Sequence, residues 1–144
     1  QMIEYIALLT TSTLFGGMLL YSFGFASILF HALPSEEASR VIRLAFPWYY
    51  LFIIVVSAVN CLLLVPYNSP AFLIDAQSAA LLGSVTLFGI ISRQILMPRI
   101  NLARDLQLQG DIIARKRFGR LHGLAVVINF IQIAILGYVL TSFL

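Results

Sequence analysis

The sequence predicts an all-α integral membrane protein, a four-helix bundle with both termini outside and its basic loops in the cytoplasm. Three observations lead there. Of 144 residues, 60% are hydrophobic and only 10% charged, whereas a soluble domain carries about 25% charged residues. Four apolar stretches are each long enough to cross a bilayer, and all nine Lys and Arg residues gather on one side of them.

A hydrocarbon core about 30 Å thick takes about 20 helical residues at a rise of about 1.5 Å each. The stretches run from about 5 to 30, 41 to 65, 71 to 96 and 121 to 140, in a single transmembrane domain. Helices are the open-ended way to span, because every backbone N–H and C=O is satisfied within the segment. A barrel would need alternating strands of about 10 residues, and these runs do not alternate. The first stretch is too long for a signal-peptide core and has no basic residues ahead of it, so it is expected as a span.

The breaks between spans carry their own signals. Leu33-Pro34-Ser35-Glu36-Glu37 closes the first span, and a serine followed by acids suits the start of a helix. Pro66-Tyr67-Asn68-Ser69-Pro70 reads as a tight turn, since proline cannot continue a helix. That turn makes spans two and three an antiparallel hairpin. The link 97–120 is long and basic, and its apolar residues Ile100, Ala103, Leu106, Ile112 and Ile113 fall at helical spacing. It fits either an extension of span three or a helix lying on the membrane surface.

Arg40 and Arg43 come after span one; Arg93, Arg99, Arg104, Arg115, Lys116, Arg117 and Arg120 lie at the end of span three or in the link. The positive-inside rule makes this side cytoplasmic, which suits a bacterial plasma membrane. Arg115, Lys116, Arg117 and Arg120 are expected to contact anionic headgroups, at about 1 kcal/mol per cation. Nucleic acid is not an expected partner, because juxtamembrane cations of this kind are ordinary topology determinants.

Helices in lipid associate through small residues and polar contacts. Thr10, Gly17, Gly24 and His31 recur every seven residues in span one, and Ala76, Ala79, Gly83, Thr86 and Arg93 form a similar stripe in span three. Span two aligns Arg43, Tyr50, Ser57 and Asn60; span four aligns His122, Ala125, Asn129 and Gln132. Gln132 lies about 15 Å below His122, near the midplane. A carboxamide facing lipid there would cost several kcal/mol, so this face is expected to point inward. Gly17, Gly24, Gly83, Asn60, Arg93, Asn129 and Gln132 are the expected packing and polar seam.

His31 and His122 both fall near the cytoplasmic boundary and form a candidate pair for haem, a pigment or a metal. The competing reading makes each an interfacial hydrogen-bonding residue. Arg93, about one turn from the end of its span, either snorkels to the headgroups or binds an anion. Cys61, the single cysteine, excludes an internal disulfide. No carboxylate lies deep in a span, and no nucleotide-binding, zinc or hydrolase signature occurs, so no catalytic residue is assigned and no resident metal or cofactor is expected.

Several segments together resemble the transmembrane protein 205-like family: Phe15-Gly16-Gly17, Leu33-Pro34, Phe46-Pro47-Trp48-Tyr49, Pro98-Arg99, and Phe118-x-x-Leu121-His122-Gly123-Leu124 with Asn129. An early His and a Trp before the Gly, common in that family, correspond here to Ala7 and Phe15. The resemblance implies a four-helix membrane protein whose bacterial members carry a domain of unknown function. Taken together, the sequence is read as a non-catalytic accessory or stabilising subunit that packs against other integral membrane proteins or itself. Two alternatives remain open: a haem-, pigment- or metal-binding protein using His31 or His122, and a small oligomeric permease lined by Arg93, Asn129 and Gln132.

Overall fold

In a computed structural model, the backbone is described for residues 2–65 and 72–144 and the side chains for 2–65 and 76–144. The expected turn at Pro66–Pro70 lies outside the described residues, as does the side chain of Asp75. The described residues are almost wholly helical. Helix α1 is Met2–Ala32, with a π turn at Leu20–Phe25. Helix α2 is Ser35–Leu64. Helix α3 comprises Phe72–Ile91, a π turn at Ser92–Leu96, and Met97–Leu108. Helix α4 is Ile112–Thr141.

All four are long and apolar enough to cross a membrane. At 30 residues, α2 and α4 rise about 45 Å, more than the hydrocarbon core requires, so each helix carries an extension beyond its apolar run. The 97–120 link is such an extension: its first half continues α3 and its second half begins α4. What joins them is a short Gln-Gly-Asp turn. The Asp111 N–H bonds the Leu106 carbonyl and the Gly110 N–H bonds the Gln107 carbonyl, which together close α3 in a Schellman motif. Gly110 sits at φ 95°, a conformation that favours glycine. Asp111 then caps α4, its carboxylate accepting from the N–H groups of Ile113 and Ala114. Ser35 does not cap α2; the N-cap is Pro34, and Glu36 and Glu37 occupy the first turn.

The helices run up and down in a closed ring, α1 beside α2 and α4, and α3 beside α2 and α4. Leu14, Met18, Ile53, Leu82, Val85, Leu136 and Val139 fill the centre and are fully buried. Large apolar side chains also cover the outside, among them Leu9, Leu20, Val55, Leu62, Leu87, Val127 and Phe130. An apolar surface on every helix is intolerable in water and natural in lipid.

The hydrogen-bond ladder is interrupted at one height in three helices. In α1 the Ala26 N–H reaches back five residues to Tyr21, and in α3 the Met97 N–H does so to Ser92. Pro47, inside α2, has no N–H to offer the turn before it. The Tyr21 ring stacks on Tyr49, two residues past the proline, and the Arg93 Nε donates to the Pro47 carbonyl.

Candidate functional site

The polar side chains inside the ring form three layers. Nearest the interrupted level, Ser22 of α1, Tyr49 of α2 and Asn129 of α4 make a three-helix clasp. The Tyr49 hydroxyl donates to Asn129 Oδ1 at 2.6 Å, and Asn129 Nδ2 donates to Ser22 Oγ at 2.8 Å. Ser22 and Tyr49 stand 3.4 Å apart and complete the triangle. Tyr21 lies parallel to Tyr49 with ring centroids 3.9 Å apart, and its hydroxyl oxygen is buried with no partner among the described residues.

The middle layer ties α3 to both neighbours. Ser57 bonds Thr86 at 2.7 Å and donates back to the Ile53 carbonyl. Gln132, fully buried, donates through Nε2 to the Val85 carbonyl at 2.9 Å, which leaves its Oε1 unpartnered among the described residues. The outer layer joins Thr10 to Asn60 across α1 and α2, while Asn60 Nδ2 and Thr11 Oγ1 are buried without partners among the described residues. Bonds of this type in bilayers average about 0.6 kcal/mol. Their effect is to fix helix register.

Glycine positions show where the backbones approach. A Cβ on Gly17 would lie 3.1 Å from the Phe52 ring, and one on Gly83 3.6 Å from Cys61 Sγ. Cys61 itself donates to the Ala79 carbonyl at 3.1 Å across α2 and α3. The seven-residue stripe of α1 does not continue as one face. Thr10 and Gly17 meet α2, but Gly24, inside the π turn, meets only Leu20 of its own helix, and His31 is exposed. A π turn adds a residue to the local repeat and so rotates the C-terminal part of the helix about its axis. Gly89, which no stripe in the sequence singles out, lies tightest, 3.0 Å from Ile54 Cγ1 and 3.4 Å from Ile53 Cγ2 for an added Cβ.

The histidines have separate surroundings. His31 Nδ1 donates to the Ser27 carbonyl at 2.8 Å. His122 stacks on Phe118, which also carries the Arg104 guanidinium 5.4 Å above its ring. Among the described residues no three His, Cys, Asp or Glu side chains converge as a metal site. Arg93, Asn129 and Gln132 are engaged in three different places: the Pro47 carbonyl, the clasp and the Val85 carbonyl. Arg115, Lys116, Arg117 and Arg120 are exposed on the first turns of α4.

At the start of the second apolar run, Arg43 grips Asp105 through Nη1–Oδ1 at 2.7 Å and Nη2–Oδ2 at 3.1 Å. Asp105 stands nine residues past Leu96 on the α3 extension. The guanidinium hydrogen bond holds its carboxyl below the ordinary aspartate range. A depressed folded value means that the stabilisation is present above the unfolded value and disappears as pH falls through the folded one. Wild type and Asp105→Asn are therefore expected to differ slightly in unfolding midpoint at about pH 7 and to differ less at an acid pH. Detergent-denaturation curves at the two pH values check this.

Comparison with known proteins yields one family. No curated protein and no solved structure matches the chain. A family described as a domain of unknown function, DUF4149, matches residues 9–108, which include α1 from Leu9 and all of α2 and α3. The chain belongs to the DUF4149 family.

Proposed function

We propose that the protein is a non-catalytic accessory or stabilising subunit of a larger membrane assembly, seated in a bacterial plasma membrane with its basic end in the cytoplasm and both termini outside. The observation that carries this reading is a set of glycines facing away from the bundle. Gly119 and Gly123, one turn apart on α4, and Gly16 on α1 have nothing within 4 Å of where a Cβ would sit. Gly119, at the end of the basic link, and Gly123, inside the apolar run, are exposed, in the four-residue spacing that lets a second helix approach closely. The basic residues at the same end support the orientation through the positive-inside rule.

The segment Phe118-x-x-Leu121-His122-Gly123-Leu124 with Asn129 supports a transmembrane protein 205-like affiliation within the family. Two of its residues have evident uses: Asn129 clasps three helices, and Gly123 keeps an outer face open.

The open space itself supplies the test. A Cβ added at Gly119 or Gly123 meets no atom of its own bundle, and leucine is the better helix former, so the double substitution Gly119→Leu, Gly123→Leu is expected not to lower the unfolding midpoint. Cross-linking in native membranes followed by mild detergent extraction is expected to capture a membrane partner or second copy with wild type and to lose it with the double variant. A wild-type protein that cross-links to nothing and runs as a monomer would overturn the reading.

A further inference from the structure

A second site is carried by Arg93, independently of the subunit reading. Arg93 sits in the α3 π turn and lines a cleft of about 330 Å³ with Pro47, Gln94, Met97, Pro98 and Asn101. Its guanidinium has five N–H donors. One goes from Nε to the Pro47 carbonyl at 3.1 Å and one from Nη1 to Gln94 Oε1 at 3.2 Å, which leaves three. No carboxylate pairs with Arg93 among the described residues, where the ion pair found is Arg43–Asp105. A cation held at the margin of an apolar span without a counter-ion is expensive. The rigid anchor on Pro47 also keeps it from turning freely toward water. An anionic ligand would balance that charge.

The depth of the cleft says which anion. Trp48, next to Pro47, is 73% exposed on the outer surface of α2. Tryptophan concentrates where hydrocarbon meets headgroups. The cleft runs along α3 from Arg93 to Asn101, eight residues or about 12 Å, so it opens at that boundary and extends past it. Its walls are mixed, with Met97 and the two prolines beside the Gln94 and Asn101 amides. A lipid supplies a group for each part of the cleft, a phosphate for the guanidinium fork and, on the outward side, a hydroxylated headgroup within reach of the Gln94 and Asn101 amides.

We propose that this cleft binds the phosphate of an anionic phospholipid, with Arg93 as the phosphate ligand and Asn101 at the mouth. The site is separate from the exposed cations Arg115, Lys116 and Arg117 on the first turns of α4.

Native mass spectrometry of the full chain in detergent, titrated with phosphatidylglycerol, phosphatidylcholine or inorganic phosphate, tests it. Wild type is expected to prefer phosphatidylglycerol over phosphatidylcholine by about tenfold, and Arg93→Gln to lose most of that preference. Arg93→Lys keeps the charge without the fork and is expected to fall between them. Asn101→Leu, at the mouth, is expected to weaken phosphatidylglycerol binding about threefold, so narrowing the preference, and covers the case in which Arg93→Gln does not fold. An Arg115→Gln, Lys116→Gln, Arg117→Gln variant is expected to keep the preference. Equal binding of the two lipids, an unchanged preference in Arg93→Gln or in Asn101→Leu, or loss of preference in the triple variant would each overturn the proposal. Displacement of phosphatidylglycerol by equimolar inorganic phosphate would overturn its lipid source.

Discussion

Gly89→Leu is expected to be among the most damaging single substitutions in the bundle, lowering stability by about 3 kcal/mol or more. The glycine sits where α2, α3 and α4 meet. An added Cβ alone would lie 3.0 Å from Ile54 Cγ1 and 3.4 Å from Ile53 Cγ2, and Ile53 is fully buried. Overpacking of this kind costs about 1–3 kcal/mol, and occasionally more. A second penalty adds to it. Gln132 Nε2 is 3.8 Å from the same Cβ, so a leucine displaces the carboxamide from the Val85 carbonyl and leaves a second buried polar atom unpaired, at about 1–3 kcal/mol. Gly16→Leu is the matched control, because that position is open and exposed. Detergent-denaturation midpoints followed by far-ultraviolet circular dichroism should separate the two variants clearly. Coincident midpoints would mean that the α2–α3 seam is looser than the structure places it.

The second large effect is expected at the clasp. Asn129→Leu removes two hydrogen bonds and leaves the Tyr49 hydroxyl only its longer, 3.4 Å contact with Ser22. Its cost is expected at about 1–2 kcal/mol, above the bilayer average for one bond because two bonds go. Tyr49→Phe removes one bond and is expected to cost less. The double variant is expected to be less unstable than the sum of the singles, with a coupling of about 0.5–1.5 kcal/mol. A strictly additive result would show that Tyr49 and Asn129 do not share a bond.

How far the sequence speaks depends on how strongly each residue is constrained. The four helices are legible because a bilayer permits few alternatives, and the runs around Ile53 and Ile128 are too long and too apolar for any other use. Gln132 is legible in the same way, since a midplane carboxamide has one tolerable direction. The short join between α3 and α4 is written in Gly110 and Asp111, a helix-ending glycine with a capping aspartate directly after it. Among the six basic residues of the link that signal is easily passed over, and the link then reads as one extension of span three or one helix on the membrane surface. The π turns are harder. Nothing in Leu20–Phe25 marks an added residue, so a seven-residue stripe drawn through Gly24 and His31 leaves the packed face halfway. Ser22 and Tyr49 acquire meaning only beside their partners, because a serine and a tyrosine near a span end have many ordinary uses.

The coincidence of the two π turns with Pro47 has a mechanical consequence. Three of the four struts share a defect in one transverse plane, and a bending load concentrates where struts are weakest. The α4 rod, unbroken for 30 residues, runs through that plane as the spine. The Ser22–Tyr49–Asn129 clasp fastens two of the weakened struts to that spine at the fault line, and Arg93 rivets the third to its neighbour.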